Sequence, residues 1–310
     1  MKAVRFYEVG GPEVLRLEDV EQPVPAAGQV RLKVAASAFN AADDGMRAGS
    51  LPIPVSLPHV PGYDVSGVVD AVGDGVEGLA IGDAVFGFLP MGEDGGAAES
   101  VVAPAAAVVA APRSIPLADA AALPSVALTA WQALFDDGGL TAGQRVLIVG
   151  AGGVVGKYAV RLAKRAGAHV IATASPRSAE AVRAAGADEV VDRTAVDLLA
   201  VVDERVDLLL NLAPIDPDRF TALVGLVRDG GRVVSTTAWM AAPDDAARRV
   251  TSSTVFVHGD RSRLERLAAL VDEGALTVEI TRRIPLAELP ALHAEAASRG
   301  VVGKVLVLPA

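Results

Sequence analysis

The chain has 310 residues, enough for two domains of ordinary size, and 51% of its residues are hydrophobic. Its formal net charge of −10 argues against a nucleic-acid partner, because such proteins present a basic face. The absence of cysteine excludes disulfides and thiolate metal sites, and no uncharged apolar run approaches the roughly 18 residues that a membrane span requires.

The first residues of the chain enter a strand-like pattern without the apolar core and cleavage site of a signal peptide. We therefore expect a cytoplasmic protein with no membrane partner.

The first third of the chain has the pattern of a small β-rich domain. Residues 1 to about 112 are rich in valine, glycine and proline. Glycine-punctuated segments at 29–36, 61–69 and 81–87 predict strands of an irregular barrel.

From about residue 116, helical and strand-like segments alternate. A helix is predicted over 125–135, and six strands are predicted at 145–150, 169–174, 189–192, 206–213, 231–238 and 254–259. This alternation predicts a doubly wound parallel sheet. Near the C-terminus a helix is expected to start at 285–289, and a last strand covers 305–308. We therefore predict one domain of residues 1–115 and 277–310 and a second, doubly wound domain of residues 116–276.

A glycine turn joins the first strand of that sheet to a helix. The apolar run 146–149 is followed by Gly150, Gly153 and Gly156, and Gly167 is placed to end the helix. A helix N-terminus presents unpaired N–H groups and a partial positive charge, and glycines let a pyrophosphate approach them closely. The turn therefore predicts dinucleotide binding; the alternative is that these glycines merely permit close packing of helix on sheet.

The segment after the second strand bears on which nicotinamide is bound. An NAD-binding chain usually has Asp or Glu there to hold the ribose 2′-hydroxyl, whereas this chain has Ser175 and Arg177. Arg177 can grip a 2′-phosphate through charge-assisted hydrogen bonds, Ser175 can donate another, and Arg193 can close the far side. We predict NADPH as the cofactor; the alternative is that Arg177 is a solvated surface residue.

Ordered markers along nearly the whole chain carry a family resemblance. They are the segments 39–43, 47–49, 60–67, 128–134, 185–190 and 303–305. With them the chain resembles the zinc-free quinone oxidoreductase branch of the medium-chain dehydrogenase/reductase superfamily. The resemblance implies an α/β fold in which a Rossmann sheet is joined to a β-rich, GroES-like domain, and it places Asn40, Tyr63 and Ser125 in the active-site cleft.

The same resemblance bears on metal and mechanism. In zinc-dependent relatives the positions of Asn40, Tyr63 and Ser125 hold the Cys, His and Cys ligands, and an amide, a phenol and a hydroxyl do not make a zinc site. No metal is expected, so a substrate oxygen needs hydrogen-bond donors instead. The candidates are the Asn40 amide and the Tyr63 hydroxyl, and the Thr129 hydroxyl is expected near the nicotinamide.

Each candidate has a purely structural alternative. Asn40 could only tie down a loop, and Tyr63 could be a core aromatic residue. Asp43 and Asp64 are expected to brace backbone or to pair with Arg47. Phe256 and His258 are placed on the last strand of the sheet, where they approach the nicotinamide or serve strand packing. The full set of predicted cofactor-binding residues is Gly150, Gly152, Gly153, Val154, Val155, Gly156, Ser175, Arg177, Arg193, Leu212, Phe256 and Lys304, with Lys304 reaching the pyrophosphate.

The predicted function is transfer of hydride from NADPH to a quinone or an α,β-unsaturated carbonyl, small-molecule substrates both. Gly45, Leu51 and Val154 depart from the family pattern and motivate an alternative, a biosynthetic tailoring enzyme that is an enoyl reductase or a redox-neutral catalyst. A non-catalytic nucleotide-sensing or structural protein is the third possibility. By family analogy a homodimer is expected, with residues 254–257 at a sheet edge that invites pairing.

Overall fold

A computed structural model describes residues 1–237 and 240–309. The chain forms two compact units, the first comprising Met1–Ser125 and His258–Ala310 and the second Val126–Val257. The helices of the described residues are all too short or too polar to cross a lipid bilayer.

The first unit is mainly β-structure. Before the second unit its elements are β1 (Lys2–Arg5), β2 (Arg16–Asp19), β3 (Gln29–Phe39), α1 (Ala41–Ala48), β4 (Asp64–Val72), β5 (Ala84–Phe88), β6 (Ser100–Pro104), β7 (Val108–Ala110), α2 (Leu117–Ala120) and the beginning of α3 (Pro124–Trp131). The second unit contains the rest of α3, its π-helical continuation Gln132–Asp137, β8 (Arg145–Val149), α4 (Val154–Arg165), β9 (His169–Ala174), α5 (Ala179–Ala184), β10 (Glu189–Asp192), α6 (Leu198–Val201), β11 (Val206–Asn211), α7 (Pro217–Leu223), β12 (Val227–Ser235) and β13 (Thr251–Thr254). The chain then returns to the first unit with α8 (Arg261–Asp272), β14 (Arg282–Pro285), α9 (Leu289–Arg299) and β15 (Val305–Leu308).

A seven-stranded, mostly antiparallel sheet organises the first unit. Its strands run in the order β14-β15-β3-β4-β5-β7, and β6 pairs with the other end of β3. The long strand β3 is therefore central, with β15 and β4 on its two sides. The predicted β-rich domain is confirmed, and it contains the C-terminal strand at the predicted residues 305–308.

The second unit contains the doubly wound sheet that the sequence predicts. All six strands are parallel, in the order β10-β9-β8-β11-β12-β13. Val146, Leu147 and Ile148 of β8 are fully buried, as expected of a strand covered on both faces. From β8, the first strand of this sheet in chain order, the chain continues outward through β9 and β10 on one side and then returns to β11 on the other side of β8. The strand order therefore reverses at the carboxyl end of β8, where such sheets bind their ligands.

Two details differ from the sequence-based expectations. The last strand of the parallel sheet is Thr251–Thr254 rather than 254–259, so Phe256 and His258 follow it. Residue 238, the predicted end of the strand at 231–238, lies outside the described residues. Residues 116–125 and 258–276 belong to the first unit rather than to the predicted dinucleotide-binding domain, because α2 packs on β4 and α8 packs on β7.

Candidate functional site

A buried polar cluster lies in the first unit around the carboxylate of Asp64, which has no solvent-exposed surface. Its Oδ1 accepts the Ser125 N–H at 2.9 Å, and its Oδ2 accepts the Ser125 hydroxyl at 2.5 Å and the Asn40 amide at 3.0 Å. Lys304 Nζ is 3.0 Å from the same Oδ2 and 2.5 Å from Asn40 Oδ1. We call Asn40, Asp64, Ser125 and Lys304 the Asp64 cluster.

Strand register brings the cluster together. Asn40 directly follows β3 and Asp64 begins β4, and the two strands pair Ala38 with Asp64. Lys304 directly precedes β15, whose first residue, Val305, pairs with Phe39. Three adjacent strands thus deliver an amide, a carboxylate and an ammonium to one place, and the first turn of α3 adds the Ser125 hydroxyl.

Tyr63, the residue before Asp64, is 5% exposed and packs edge-to-face against Phe88 with ring centroids 5.2 Å apart. Burial raises the pKa of its hydroxyl well above the ordinary value, and the nearby charges of Asp43 and Asp64 raise it further. A phenol of ordinary pKa is already protonated at neutral pH, and the shift favours that neutral form further. In that state it is a hydrogen-bond donor, as its predicted role requires.

Asp43 lies in the first turn of α1 and is buried. Its carboxylate accepts the Asn40 N–H at 2.8 Å and the Gly62 N–H at 3.1 Å, so it fixes the backbone on both sides of the cluster. Burial raises the pKa of this carboxyl to about 7, and the charge of Asp64 adds to the rise while the two backbone donors oppose it. The predicted role of Asp43 in bracing backbone is confirmed.

The free energy of unfolding is expected to depend on pH through the titration of Asp43. Its pKa is higher in the folded chain than in the unfolded one, so the folded state binds more protons between about pH 4 and pH 7. Stability contributed by this group therefore falls as the pH rises through that range, by at most about 1.4 kcal/mol per pH unit. Burial and the charge of Arg47 lower the pKa of His293 to about 4. Stability contributed by His293 therefore rises with pH between about pH 4 and 6.5, opposite to the effect of Asp43.

Replacing Asp43 with asparagine separates the two contributions. Relative to Asp43→Asn, the native chain is expected to lose free energy of unfolding as the pH rises from 4.5 to 7.5, measured by urea denaturation at fixed ionic strength. His293 is present in both proteins and cancels in the difference. If the free energies of unfolding of the two proteins changed with pH in parallel, the pKa of Asp43 would not be raised by folding.

The predicted partners of the acidic residues are corrected in part. Asp64 braces backbone through Ser125, but its ionic partner is Lys304, whose ammonium reaches it from the start of β15, on the far side of β3. Arg47 instead pairs with Asp44 at 2.5 Å, one turn away on α1. Both N–H groups of the Asn40 amide are directed at protein acceptors, Asp64 and the Ala38 carbonyl. Its predicted contact with a substrate oxygen requires that one of these bonds be shared or released.

The predicted glycine turn lies in the second unit at the carboxyl end of β8. Gly150 has a φ of +88°, and a Cβ there would be 2.9 Å from that of Ala213. A Cβ on Gly156 would be 2.5 Å from the backbone of Ala151, so this glycine lets α4 approach the turn. Close packing thus explains Gly156, whereas Gly153 is exposed and its nearest contact would be an ordinary 3.4 Å.

The start of α4 is open to an anion. Its N-cap is Gly153, which has no side chain to accept a hydrogen bond from the first-turn N–H groups. By contrast, α7 and α8 are capped by the carboxylates of Asp216 and Asp260. Val154 and Val155 begin α4 and are half-buried. An uncapped N-terminus at the strand-order reversal is suited to a diphosphate.

The loop after β9 borders this turn. The N–H of Ser175 donates to Ser178 Oγ at 3.1 Å, and that same Oγ would be 2.3 Å from a Cβ on Gly152. Arg177 is exposed, and within residues 1–237 and 240–309 no hydrogen bond or ion pair engages its guanidinium. Arg193 is also exposed, and its N–H donates to the Ala174 carbonyl at the end of β9.

The remaining predicted residues occupy separate elements. Leu212 is half-buried after β11 and donates its N–H to the Val149 carbonyl at the end of β8. Thr129 is half-buried on α3, one turn after Ser125. Phe256 is 58% exposed beyond β13. Lys304 lies within the Asp64 cluster, so the structure gives its ammonium partners other than a diphosphate.

Sequence reasoning missed a chain of polar side chains at the carboxyl ends of β11 and β12. Asn211 donates to Ser235 at 3.3 Å, and the hydroxyls of Ser235 and Thr237 are 2.7 Å apart, all three residues being buried. Polar residues that end otherwise apolar strands were the available signal. Ser178 was missed as well, although its position three residues after Ser175 fits a local turn.

Comparisons with known proteins agree with this arrangement. Residues 26–113 match the alcohol dehydrogenase GroES-like domain, and residues 185–307 match the family described as zinc-binding dehydrogenase. The chain is 33% identical to the chloroplast envelope quinone oxidoreductase homolog of Arabidopsis thaliana, over 100% of this chain and 98% of the relative. The solved quinone oxidoreductase of Coxiella burnetii superposes with a TM-score of 0.90 at 30% identity, covering 100% and 99% of the two chains. A solved NAD-dependent alcohol dehydrogenase superposes with a TM-score of 0.89 at 32% identity, covering both chains completely.

The description of one matched family implies zinc, and the Asp64 cluster can be tested for it. The cluster already contains the ammonium of Lys304, which would repel a divalent cation. Its other groups are an amide, a hydroxyl and one carboxylate, whereas zinc prefers thiolate and imidazole. Among the described residues, no three His, Cys, Asp or Glu side chains are grouped so as to hold a metal. These residues do not fit a zinc ion.

Proposed function

Because this chain belongs to the zeta-crystallin-like quinone oxidoreductase branch of the medium-chain dehydrogenase/reductase superfamily, a family of nicotinamide-dependent oxidoreductases, we propose that it is a zinc-independent, NADPH-dependent reductase of quinones or α,β-unsaturated carbonyls. The observation that carries the choice of NADPH is Arg177. Arg177 is exposed in the loop after β9, one residue before Ser178, whose Oγ borders Gly152 of the glycine turn, and no described residue pairs with its guanidinium.

The groups around Arg177 favour a phosphate. The loop that joins β9 to α5 presents Ser175, Arg177 and Ser178 and no carboxylate that would repel a 2′-phosphate. Arg193 follows β10, the neighbouring strand, and adds a second exposed cation. The open N-terminus of α4 is suited to the diphosphate. Bound there, the cofactor supplies a hydride.

The chain's own residues are proposed to stabilise negative charge on the substrate oxygen. Tyr63 is the first donor, because its phenol is protonated at neutral pH and the residue directly precedes Asp64 of the cluster. The Asn40 amide is the second, and the Thr129 hydroxyl is proposed to act near the nicotinamide. Hydride transfer turns a quinone into a hydroquinone monoanion and an enone into an enolate. Neither anion needs a strong acid nearby, since water can deliver the one proton that completes the reduction.

Two further predictions belong to this proposal. A cytoplasmic location and a homodimer remain expectations from sequence and family. If the dimer forms through the parallel sheet, the pairing edge is β13, which among the described strands has only β12 as a neighbour. Its residues are Thr251–Thr254 rather than the predicted 254–257.

A panel of simple quinones and simple enones tests the proposed function. We expect purified protein to oxidise NADPH faster in the presence of at least one quinone, followed by the loss of absorbance of the reduced cofactor. Turnover of enones only would favour an enoyl reductase. Binding of NADPH with no turnover on any compound would favour a redox-neutral or non-catalytic role, and failure to bind NADPH would overturn the proposal.

A further inference from the structure

The Asp64 cluster contains a cation that the proposed chemistry does not explain. The side chain of Lys304 is 2% exposed, and its partner Asp64 is fully buried. The Lys304 backbone is also fixed, because its carbonyl accepts both the N–H and the hydroxyl of Thr281 at 2.9 Å. The ammonium is therefore built into the first unit, with two oxygen acceptors within 3.0 Å.

The two charges of this pair act on opposite ends of one amide. Lys304 donates to Asn40 Oδ1, and Asn40 Nδ2 donates to Asp64 at 3.0 Å. The oxygen and nitrogen ends of an Asn side chain have nearly the same shape, so hydrogen-bond partners alone decide which way it points. Two neutral contacts favour the same orientation, since Ser125 Oγ donates to Asn40 Oδ1 at 3.1 Å and Asn40 Nδ2 donates to the Ala38 carbonyl at 3.3 Å. The cation on one side and the anion on the other add the stronger, charge-assisted bonds of this set.

We propose that Lys304 is a positioning residue: together with Asp64 it fixes the orientation of the Asn40 amide, and hence which of its N–H groups can be shared with a substrate oxygen. The effect on turnover rests on the proposed function, in which Asn40 faces the substrate. The assignment differs from a role in binding the diphosphate of the coenzyme, because the ammonium has its hydrogen-bond partners inside the first unit.

Three variants distinguish positioning from the other roles. Lys304→Met removes the charge at similar length, Lys304→Arg keeps it, and Lys304→Met/Asp64→Asn removes both charges of the pair. In the double variant the amide introduced at position 64 can donate to Asn40 Oδ1, so the Asn40 amide loses the preference imposed by the two charges and keeps only its neutral contacts with Ala38 and Ser125. No buried charge is left unpaired. The measurements are the melting temperature, kcat and KM for a quinone, and the Kd for NADPH at two salt concentrations.

Positioning predicts that Lys304→Met melts at a lower temperature and has a kcat reduced about 10- to 100-fold, with the NADPH Kd changed less than about twofold. Lys304→Arg should retain more of the kcat than Lys304→Met. The double variant should regain the melting temperature but not kcat. Recovery of both quantities in the double variant would show a merely structural pair. A salt-dependent loss of NADPH affinity of about tenfold or more would support the diphosphate role and overturn the proposal.

A readout without turnover keeps the inference separate from the proposed function. In the native protein, the side-chain NH₂ resonances of Asn40 should be well dispersed and slow to exchange with solvent, because one N–H is bound to a buried carboxylate. In the double variant they should shift and exchange faster. Unchanged resonances would refute the orienting role even in an active enzyme, whereas absence of quinone turnover in the native chain would refute only the proposed function.

Discussion

Replacing Asp64 with alanine is expected to lower the free energy of unfolding by about 3 to 5 kcal/mol. The substitution leaves the Lys304 ammonium buried without its counter-ion and removes the acceptor of the Ser125 N–H and hydroxyl. An unpaired buried charge is far more costly than the same charge in water. Urea denaturation gives the free energy, and calorimetry should show a melting temperature lower by on the order of 10 °C.

Asp70→Ala is the matched control on the same strand. Asp70 pairs with Arg31 at 2.8 Å, but both side chains of this pair are partly exposed to solvent. Losing a solvent-accessible pair should cost no more than about 1 kcal/mol. Equal losses of unfolding free energy in the two variants would mean that the Lys304 ammonium reaches solvent when its partner is removed. The buried pair would then contribute no more to stability than the solvent-accessible pair of Asp70 and Arg31.

Much of the fold follows from local signals. The parallel sheet is visible in apolar strands such as β8, whose buried residues leave no polar face, and in the glycine turn that follows it. The last strand of the parallel sheet, β13, differs from the predicted 254–259, because residues 255–257 have a more strand-like sequence than Thr251–Thr254. Its position is set by pairing with β12, a contact that local propensity does not encode.

The site was harder to predict from sequence than the fold. The resemblance places Asn40, Tyr63 and Ser125 in the cleft, yet for Asp64 the sequence suggests only backbone bracing or a pair with Arg47, which is nearer along the chain. The true partner, Lys304, is 240 residues away and is brought in by the antiparallel pairing of β15 with β3. Charge pairing over such a distance depends on strand order, and a single sequence contains no direct record of strand order.

Arg177→Ala is expected to weaken NADPH binding about 10- to 100-fold and to leave NADH binding nearly unchanged. One or two charge-assisted hydrogen bonds to a phosphate are together worth about 1.5 to 3 kcal/mol, and NADH lacks the 2′-phosphate that would receive them. Titration calorimetry with each coenzyme measures both affinities directly. The NADPH affinity of the native chain should also fall with added salt, and that dependence should be weaker in the variant.

Arg183→Ala separates a local grip from the general effect of charge. Arg183 is exposed on α5, shortly after Arg177 along the chain, and its removal changes the net charge by the same amount. If Arg177 holds the 2′-phosphate, Arg183→Ala should retain NADPH affinity within about twofold, since a solvent-screened charge contributes little. Equal weakening of NADPH and NADH in Arg177→Ala would contradict the phosphate contact. If Arg177→Ala and Arg183→Ala weakened NADPH binding equally, the loss would come from the overall charge of the chain rather than from a local contact. The net charge of −10 repels both coenzymes, and removing either arginine would add to that repulsion.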